Sequence, residues 1–274
     1  MNAYIFDVDG VITNPHERRI TNPEITKHLI EMLLNNLPVG IVSGRALPWL
    51  KERVVSELEK YMRDNNLNRN TLDNLFVSGE FGGSSIIFEN GEPAESINPD
   101  IKLDPKFVEK AREITSPFSD FVFVDEEKQT QFTAEMQNGI AVEEFHKHRD
   151  EIANSYKELV KEFGLEEILE VHSDRIAINI KHKIANKMFA TGEFLNWLGR
   201  KNILIDEFRV FGDSPSDLEM GDELKKRGLP FDFIYVGDPE EIKSKIGFTP
   251  IFTVREFNKK TDEGTLEYLT SNNN

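Results

Sequence analysis

The chain has 274 residues, enough for one large domain or for a domain carrying a substantial insertion. It is 38% hydrophobic and 30% charged, a globular composition, and its net charge of −16 argues against nucleic acid and anionic membranes as partners. The absence of cysteine excludes disulfides and thiolate metal sites. No basic segment leads into an apolar core at the N-terminus and no apolar run reaches membrane-spanning length, so the expectation is a cytoplasmic monomer or homodimer.

In chain order, Tyr4-Ile5-Phe6-Asp7-Val8-Asp9-Gly10 is a short apolar run leading into two carboxylates and a glycine. It reads as a strand buried on both faces, with Asp7 and Asp9 at its carboxyl end. A polar, turn-rich stretch, Thr13 to Thr21, precedes a helix opened by Asn22-Pro23-Glu24 and striped by Ile25, Leu29 and Met32. Leu37 to Val42 is a second buried strand, ending in Ser43-Gly44-Arg45, and Pro48 opens the next helix. Strand, helix, strand, helix implies a parallel α/β sheet.

The order changes near Gly82-Gly83. Ser84 to Phe88 reads as a short strand, Asp104-Pro105 starts a helix, and Phe121 to Val124 and Gln131 to Met136 form a strand pair. A long helix with Ile152, Tyr156, Leu159 and Phe163 in register follows. Ile168 to Val171 and Arg175 to Ile180 then form a second pair, the last alternating cleanly between two faces. Helix-strand-strand occurs twice, so residues 84–180 read as an antiparallel α+β module inserted into a parallel domain made of residues 1–83 and 181–274. The parallel pattern resumes with a helix from Lys187 to Trp197 and a strand from Phe208 to Phe211. Next come Gly212-Asp213-Ser214-Pro215-Ser216-Asp217 and a helix from Leu218 to Lys226. Short strands are expected at Phe233 to Val236 and Ile251 to Val254, and a closing helix at Gly264 to Leu269.

Three strand ends of the parallel domain carry groups suited to a phosphate and a metal. Asp7 and Asp9, so close together, resist ionising unless a cation sits between them, and a hard divalent ion such as Mg²⁺ removes that cost. Ser43 at a helix start offers a hydroxyl beside free backbone N–H groups. Asp213 can reach the same ion, with Asp217 supporting it from behind. Lys187 offers a point charge for phosphate, although Lys181 and Lys183 compete for that role. Each has an ordinary reading as a helix cap, a first-turn acid or an exposed lysine. Their common placement, after a buried strand or opening a helix, favours a shared site.

Asp7-Val8-Asp9-Gly10, Val42-Ser43-Gly44-Arg45, Lys187 and the stretch Gly212 to Asp217 resemble, in order, the four motifs of the haloacid dehalogenase-like phosphatases. The resemblance covers nearly the whole chain. The inserted module between the second and third motifs resembles the C2 cap of the Cof-type branch, which includes sucrose-phosphate, mannosyl-3-phosphoglycerate and trehalose-phosphate phosphatases and the phosphomannomutases. The resemblance implies a Rossmann-like core with a C2-type cap. It also implies Asp7 as nucleophile, Asp9 as general acid and then base, and Mg²⁺ held by Asp7, the Asp9 carbonyl and Asp213. Ser43, Gly44 and Lys187 would bind the phosphoryl group, and Arg45 would orient the loop or touch the substrate. Two positions depart from the family pattern. Val11 stands where threonine is frequent, and Ser216 where asparagine is usual.

The implied activity is a Mg²⁺-dependent phosphomonoesterase acting on a small phosphate ester, expected from the branch to be a sugar phosphate. A phosphomannomutase-like mutase and a member without turnover that serves as a binding module are the alternatives. Within the cap, Lys128, Gln129, Thr130, Gln131, His172 and Asp174 are candidates for contact with the leaving group, each with a hairpin-surface reading beside it.

Overall fold

A computed structural model of the chain describes residues 1–242 and 260–271. β1 (Asn2–Phe6) leads off, with Ala3, Ile5 and Phe6 fully buried. α1 (Pro23–Leu34) is capped by the Asn22 side chain, which accepts from the Glu24 N–H, and its buried face carries Ile25, Leu29 and Met32 as the 3.6-residue period requires. β2 (Val39–Val42) is buried throughout. α2 (Leu47–Leu50) runs through a π turn (Lys51–Val55) into α3 (Ser56–Asp64), starting one residue before the expected Pro48. β3 (Leu75–Gly79) is again buried throughout, and β4 (Ser84–Glu89) and β5 (Glu92–Ile97) follow it. Between β4 and β5, Asn90 and Gly91 both have positive φ, 54° and 76°, as a tight hairpin demands.

The chain divides into two compact units, Ile97–Ala185 and the remainder. In the smaller unit, the Asp104 side chain caps α4 (Pro105–Thr115) by accepting from the N–H groups of Lys106 and Phe107. β6 (Val122–Val124), β7 (Gln131–Met136), α5 (Val142–Glu162), β8 (Leu169–Ser173) and β9 (Ala177–His182) complete it. Its sheet is antiparallel, in the order β6-β7-β9-β8. Phe107, Phe132, Phe145, Tyr156, Ile178 and Ile180 fill the core beneath.

The larger unit resumes with α6 (Lys187–Arg200), β10 (Glu207–Gly212), α7 (Leu218–Lys226), β11 (Phe231–Tyr235), α8 (Pro239–Ile242) and α9 (Thr261–Ser271). Its sheet has the order β11-β10-β1-β2-β3-β4-β5 and is parallel from β11 to β3. Both faces are covered. Phe6, Ile41 and Phe211 pack with Leu29, Val54 and Leu58 in one core; Ala3, Ile5 and Val210 pack with Phe194, Trp197 and Leu224 in the other. Alternate residues of one strand therefore serve opposite cores, which is why these strands read as unbroken apolar runs.

The structure moves the expected boundaries of the inserted module. β4 pairs antiparallel with β3, Phe76 opposite Ile87, so residues 84–96 extend the larger sheet and the smaller unit begins at Ile97, not at residue 84. At the other end β9 continues to His182 and the Asn186 cap of α6 marks the return, so the unit closes at Ala185, not at residue 180. The expected strand at Ile251 to Val254 lies outside the described residues. No helix among the described residues is long and apolar enough to cross a membrane.

Candidate active site

Sheet register assembles the site. Phe6 lies opposite Ile41 of β2 and Phe211 of β10. One residue on, Asp7, Val42 and Gly212 are level, and Ser43 and Asp213 follow at the same carboxyl edge, where open α/β sheets bind ligands. The Asp7 N–H still donates to the Phe211 carbonyl at 3.0 Å, so the ladder fixes its backbone. Beyond it the chain folds over itself. The N–H groups of Val11, Ile12 and Thr13 converge on the Val8 carbonyl at 3.3, 3.2 and 3.1 Å, and the Thr13 hydroxyl donates to it at 2.8 Å.

Gly10, at φ 74°, is required twice over. L side chains avoid that conformation, and a Cβ there would lie 2.1 Å from Asp213 Oδ2. The carboxylate from the final quarter of the chain thus occupies the place of a side chain in the first motif. Asp7, Asp213 and Asp217 each offer an oxygen within 4.8 Å of the others'.

Lys187 sits among them. Its Nζ donates to Asp7 Oδ1 at 2.6 Å and also to Asp217 Oδ1, and its backbone N–H donates to Glu219 Oε2 at 3.0 Å. Lys187, Asp7 and Asp217 are 6%, 5% and 0% exposed, so this ion triad is shielded from water. The Asp217 Oδ2 accepts from the N–H groups of Asp213 and Ser214 at 3.0 and 2.8 Å and from the Ser214 hydroxyl at 2.9 Å. Asp217 therefore ties the loop to the lysine. Lys187 is the lysine of the cluster. Lys183 is exposed beyond the end of β9, and Lys181 is paired with Glu170 at 3.0 Å within the smaller unit.

Burial raises the Asp7 carboxyl well above the usual range; Asp217 and Asp213 add to the shift and Lys187 opposes it. Burial likewise pushes Asp213 up to about 7, with Asp217 contributing and Lys187 opposing. For Lys187, burial favours the neutral amine, but Asp217 and Asp7 outweigh it and the ammonium is held more firmly than usual.

Ser43 is 2% exposed. Its hydroxyl oxygen accepts from the Arg45 N–H at 3.1 Å, which leaves its own proton to donate. Arg45 and Asp9 form a pair that sequence reasoning missed. Arg45 Nε donates to Asp9 Oδ2 and Nη2 to Asp9 Oδ1, both at 3.0 Å, and the guanidinium lies 4.9 Å over the Trp49 ring. The Asp9 side chain is thus engaged apart from the three clustered carboxylates. Also missed were Glu80 and Phe81, whose backbone holds the Ser43–Arg45 loop, and Gly237, where a Cβ would lie 1.8 Å from the Asp213 carbonyl oxygen. Only Gly79, Gly82 and Gly83, clustered around Glu80 and Phe81, marked that turn in the sequence.

In the smaller unit Asp174 accepts from the N–H groups of Ile176 and Ala177, both at 2.8 Å, and so serves the β8–β9 turn. Thr130 and Gln131 are buried at the start of β7, whereas His172 is exposed on β8.

The cluster fits a hard divalent cation. It offers carboxylate oxygens, and burial raises at least two of these carboxyls, so a cation among them would favour their ionised form. With the Asp217 oxygens committed to Lys187 and to the loop, Asp7 and Asp213 are the ligands closest to hand.

No family model matches the chain, and no curated protein matches it in sequence. Solved structures do. The C-terminal domain of trehalose-6-phosphate phosphatase from C. albicans superposes with a TM-score of 0.63 at 16% identity, over 98% of this chain and 91% of that one. A haloacid dehalogenase-like hydrolase from Bacteroides thetaiotaomicron gives 0.62 at 14% identity, over 98% of both. An N-terminally truncated IMP-nucleotidase from Plasmodium falciparum gives 0.54 at 15% identity, over 90% of this chain and 69% of that one. Matches of this coverage with so little identity show that the chain shares the fold of these three proteins, one of them a haloacid dehalogenase-like hydrolase.

Proposed function

We propose that the protein is a Mg²⁺-dependent phosphomonoesterase working through an aspartyl-phosphate on Asp7. The observation that carries this reading is the convergence of Asp7, Asp213, Asp217 and Lys187 at the carboxyl edge of the parallel sheet. In the first half-reaction the Asp7 carboxylate attacks phosphorus, the bond to the leaving oxygen breaks, and the Asp9 carboxyl gives that oxygen its proton. In the second, Asp9 takes a proton from water as the water oxygen attacks phosphorus. The bond to Asp7 then breaks, releasing orthophosphate and restoring both carboxyls. Lys187 and the Ser43 hydroxyl donate to the phosphoryl oxygens, where charge accumulates in a loose transition state. Bound Mg²⁺, held by Asp7 and Asp213, would supply positive charge to those oxygens.

Arg45 supports a refinement. Its fork holds both oxygens of Asp9, so neither is free to meet a leaving group while the fork is closed. Arg45 must let go of Asp9, passing to the phosphoryl oxygens, for Asp9 to act as acid. A sugar phosphate is the favoured ester, supported by the likeness to a trehalose-6-phosphate phosphatase, with nucleoside monophosphates next in line from the IMP-nucleotidase likeness. Orthophosphate release should be screened with Mg²⁺ over both classes without a bisphosphate activator. A sugar phosphate as best substrate supports the proposal. Inertness toward every ester contradicts it.

A further inference from the structure

Two consecutive residues that are not glycine, Glu80 and Phe81, hold φ at 50° and 57°, followed by Gly82 at 95°. Each left-handed residue other than glycine costs roughly 1–3 kcal/mol, and such strain persists only where the surroundings enforce it. This is no exposed loop tip, since Glu80 is 1% exposed. The Glu80 N–H donates to the Arg45 carbonyl and the Phe81 N–H to the Ser43 carbonyl, both at 2.9 Å. The Phe81 ring lies flush on Gly44, where a Cβ would come within 2.4 Å of its Cζ. On the other side, a Cβ at Gly82 would lie 2.6 Å from Cδ1 of Phe189, two residues past Lys187 in α6. The Ser84 hydroxyl donates to Glu80 Oε1 at 3.3 Å and steadies the turn.

The turn therefore touches both elements that would carry the phosphate donors, the Ser43–Arg45 loop and the first turn of α6. We propose that Phe81, held left-handed with Glu80, is a positioning residue that sets the Ser43–Arg45 loop against α6 so that Ser43 and Lys187 meet the same phosphoryl group. The assignment rests on the phosphatase reading above. It concerns how the donors are placed, and Phe81 itself touches no reacting atom.

The test compares wild type, Phe81→Ala and Phe81→Tyr by hydrogen exchange and by calorimetric binding of orthophosphate with Mg²⁺. In Phe81→Ala the Gly44 and Arg45 amides should exchange at least about tenfold faster while β3 amides are unchanged. Orthophosphate should bind about tenfold more weakly, the scale of losing an outer positioning contact. Phe81→Tyr keeps a ring on Gly44 and should restore both. If Phe81→Ala does not fold, Phe81→Leu, which lacks the ring but keeps bulk, is read in the same way. Unchanged exchange overturns the proposal, and so does faster exchange with unchanged phosphate affinity, which would leave Phe81 a purely structural contact. A wild type that neither binds orthophosphate nor hydrolyses any ester overturns the phosphatase reading instead. The exchange data need no ligand and tell the two failures apart.

Discussion

At the scale of single residues, the site is a balance of buried charge. Lys187 pairs with both Asp7 and Asp217 in a place water hardly reaches. Lys187→Met removes the only ammonium bonded to them among the described residues and should cost about 3–5 kcal/mol of stability, the scale of breaking a buried pair. Added Mg²⁺ should recover part of that loss in a denaturation curve; a variant as stable as wild type without metal would refute the balance. Gly10→Ala drives a methyl into Asp213 Oδ2 at a backbone angle that resists it. Mg²⁺ affinity, measured by titration calorimetry, should fall about 10–100-fold. The placement of Asp7, Asp9, Ser43, Lys187 and Asp213 after a buried strand or at a helix start was legible in the sequence, because apolar runs and cap residues mark those positions. The strained pair Glu80 and Phe81 was not, since nothing in the types Glu and Phe announces a left-handed backbone. The Arg45–Asp9 pair was hidden for another reason: its partners lie 36 residues apart and join only once β1 and β2 are in register.

At the scale of elements, caps and register decide what is held and where. Asn186 caps α6 by accepting from the Phe189 N–H at 2.9 Å, and Lys187 is the first residue of that helix. Asp104 caps α4 in the smaller unit in the same manner. Replacing either by alanine should cost about 1 kcal/mol. Only Asn186→Ala should also weaken orthophosphate binding, because only α6 carries a residue of the cluster; equal effects from both on binding would contradict that placement. Strand and helix order was readable along most of the chain, as apolar runs and 3.6-residue stripes dictate. β5 escaped because all six of its residues are exposed and it contains Pro93, which suits an edge strand with no apolar pattern to betray it. β4 was readable as a strand but was assigned to the wrong sheet. Its own residues do not encode that it pairs antiparallel with β3 at the margin of a parallel sheet.

At the scale of the whole molecule, a net charge of −16 surrounds a cluster whose own carboxyls resist ionisation. Asp213 is pushed up to about 7 by burial and then by Asp217, and Asp7 is raised for the same leading reason. In the unfolded chain such groups titrate at roughly 4. The folded state then holds these protons more tightly than the unfolded chain does. Their contribution is fully present below about pH 4 and is lost as pH rises through about 7. Mg²⁺ favours the ionised form, so saturating Mg²⁺ should raise Tm more at pH 8 than at pH 5. An equal or larger rise at pH 5 would mean that the ion does not bind these carboxyls.

If a carboxylate from the opening strand and one from the final quarter of the chain hold a single divalent ion for phosphoryl transfer, orthophosphate release from the best ester should follow that ion over a Mg²⁺ titration, after EDTA, and in Asp213→Asn and Asp7→Asn. Release should depend saturably on Mg²⁺ and cease after chelation. Asp213→Asn should need far more metal, and turnover in Asp7→Asn should be lower by at least about 10³-fold. Release that survives EDTA, or an Asp7→Asn protein as active as wild type, would contradict that arrangement.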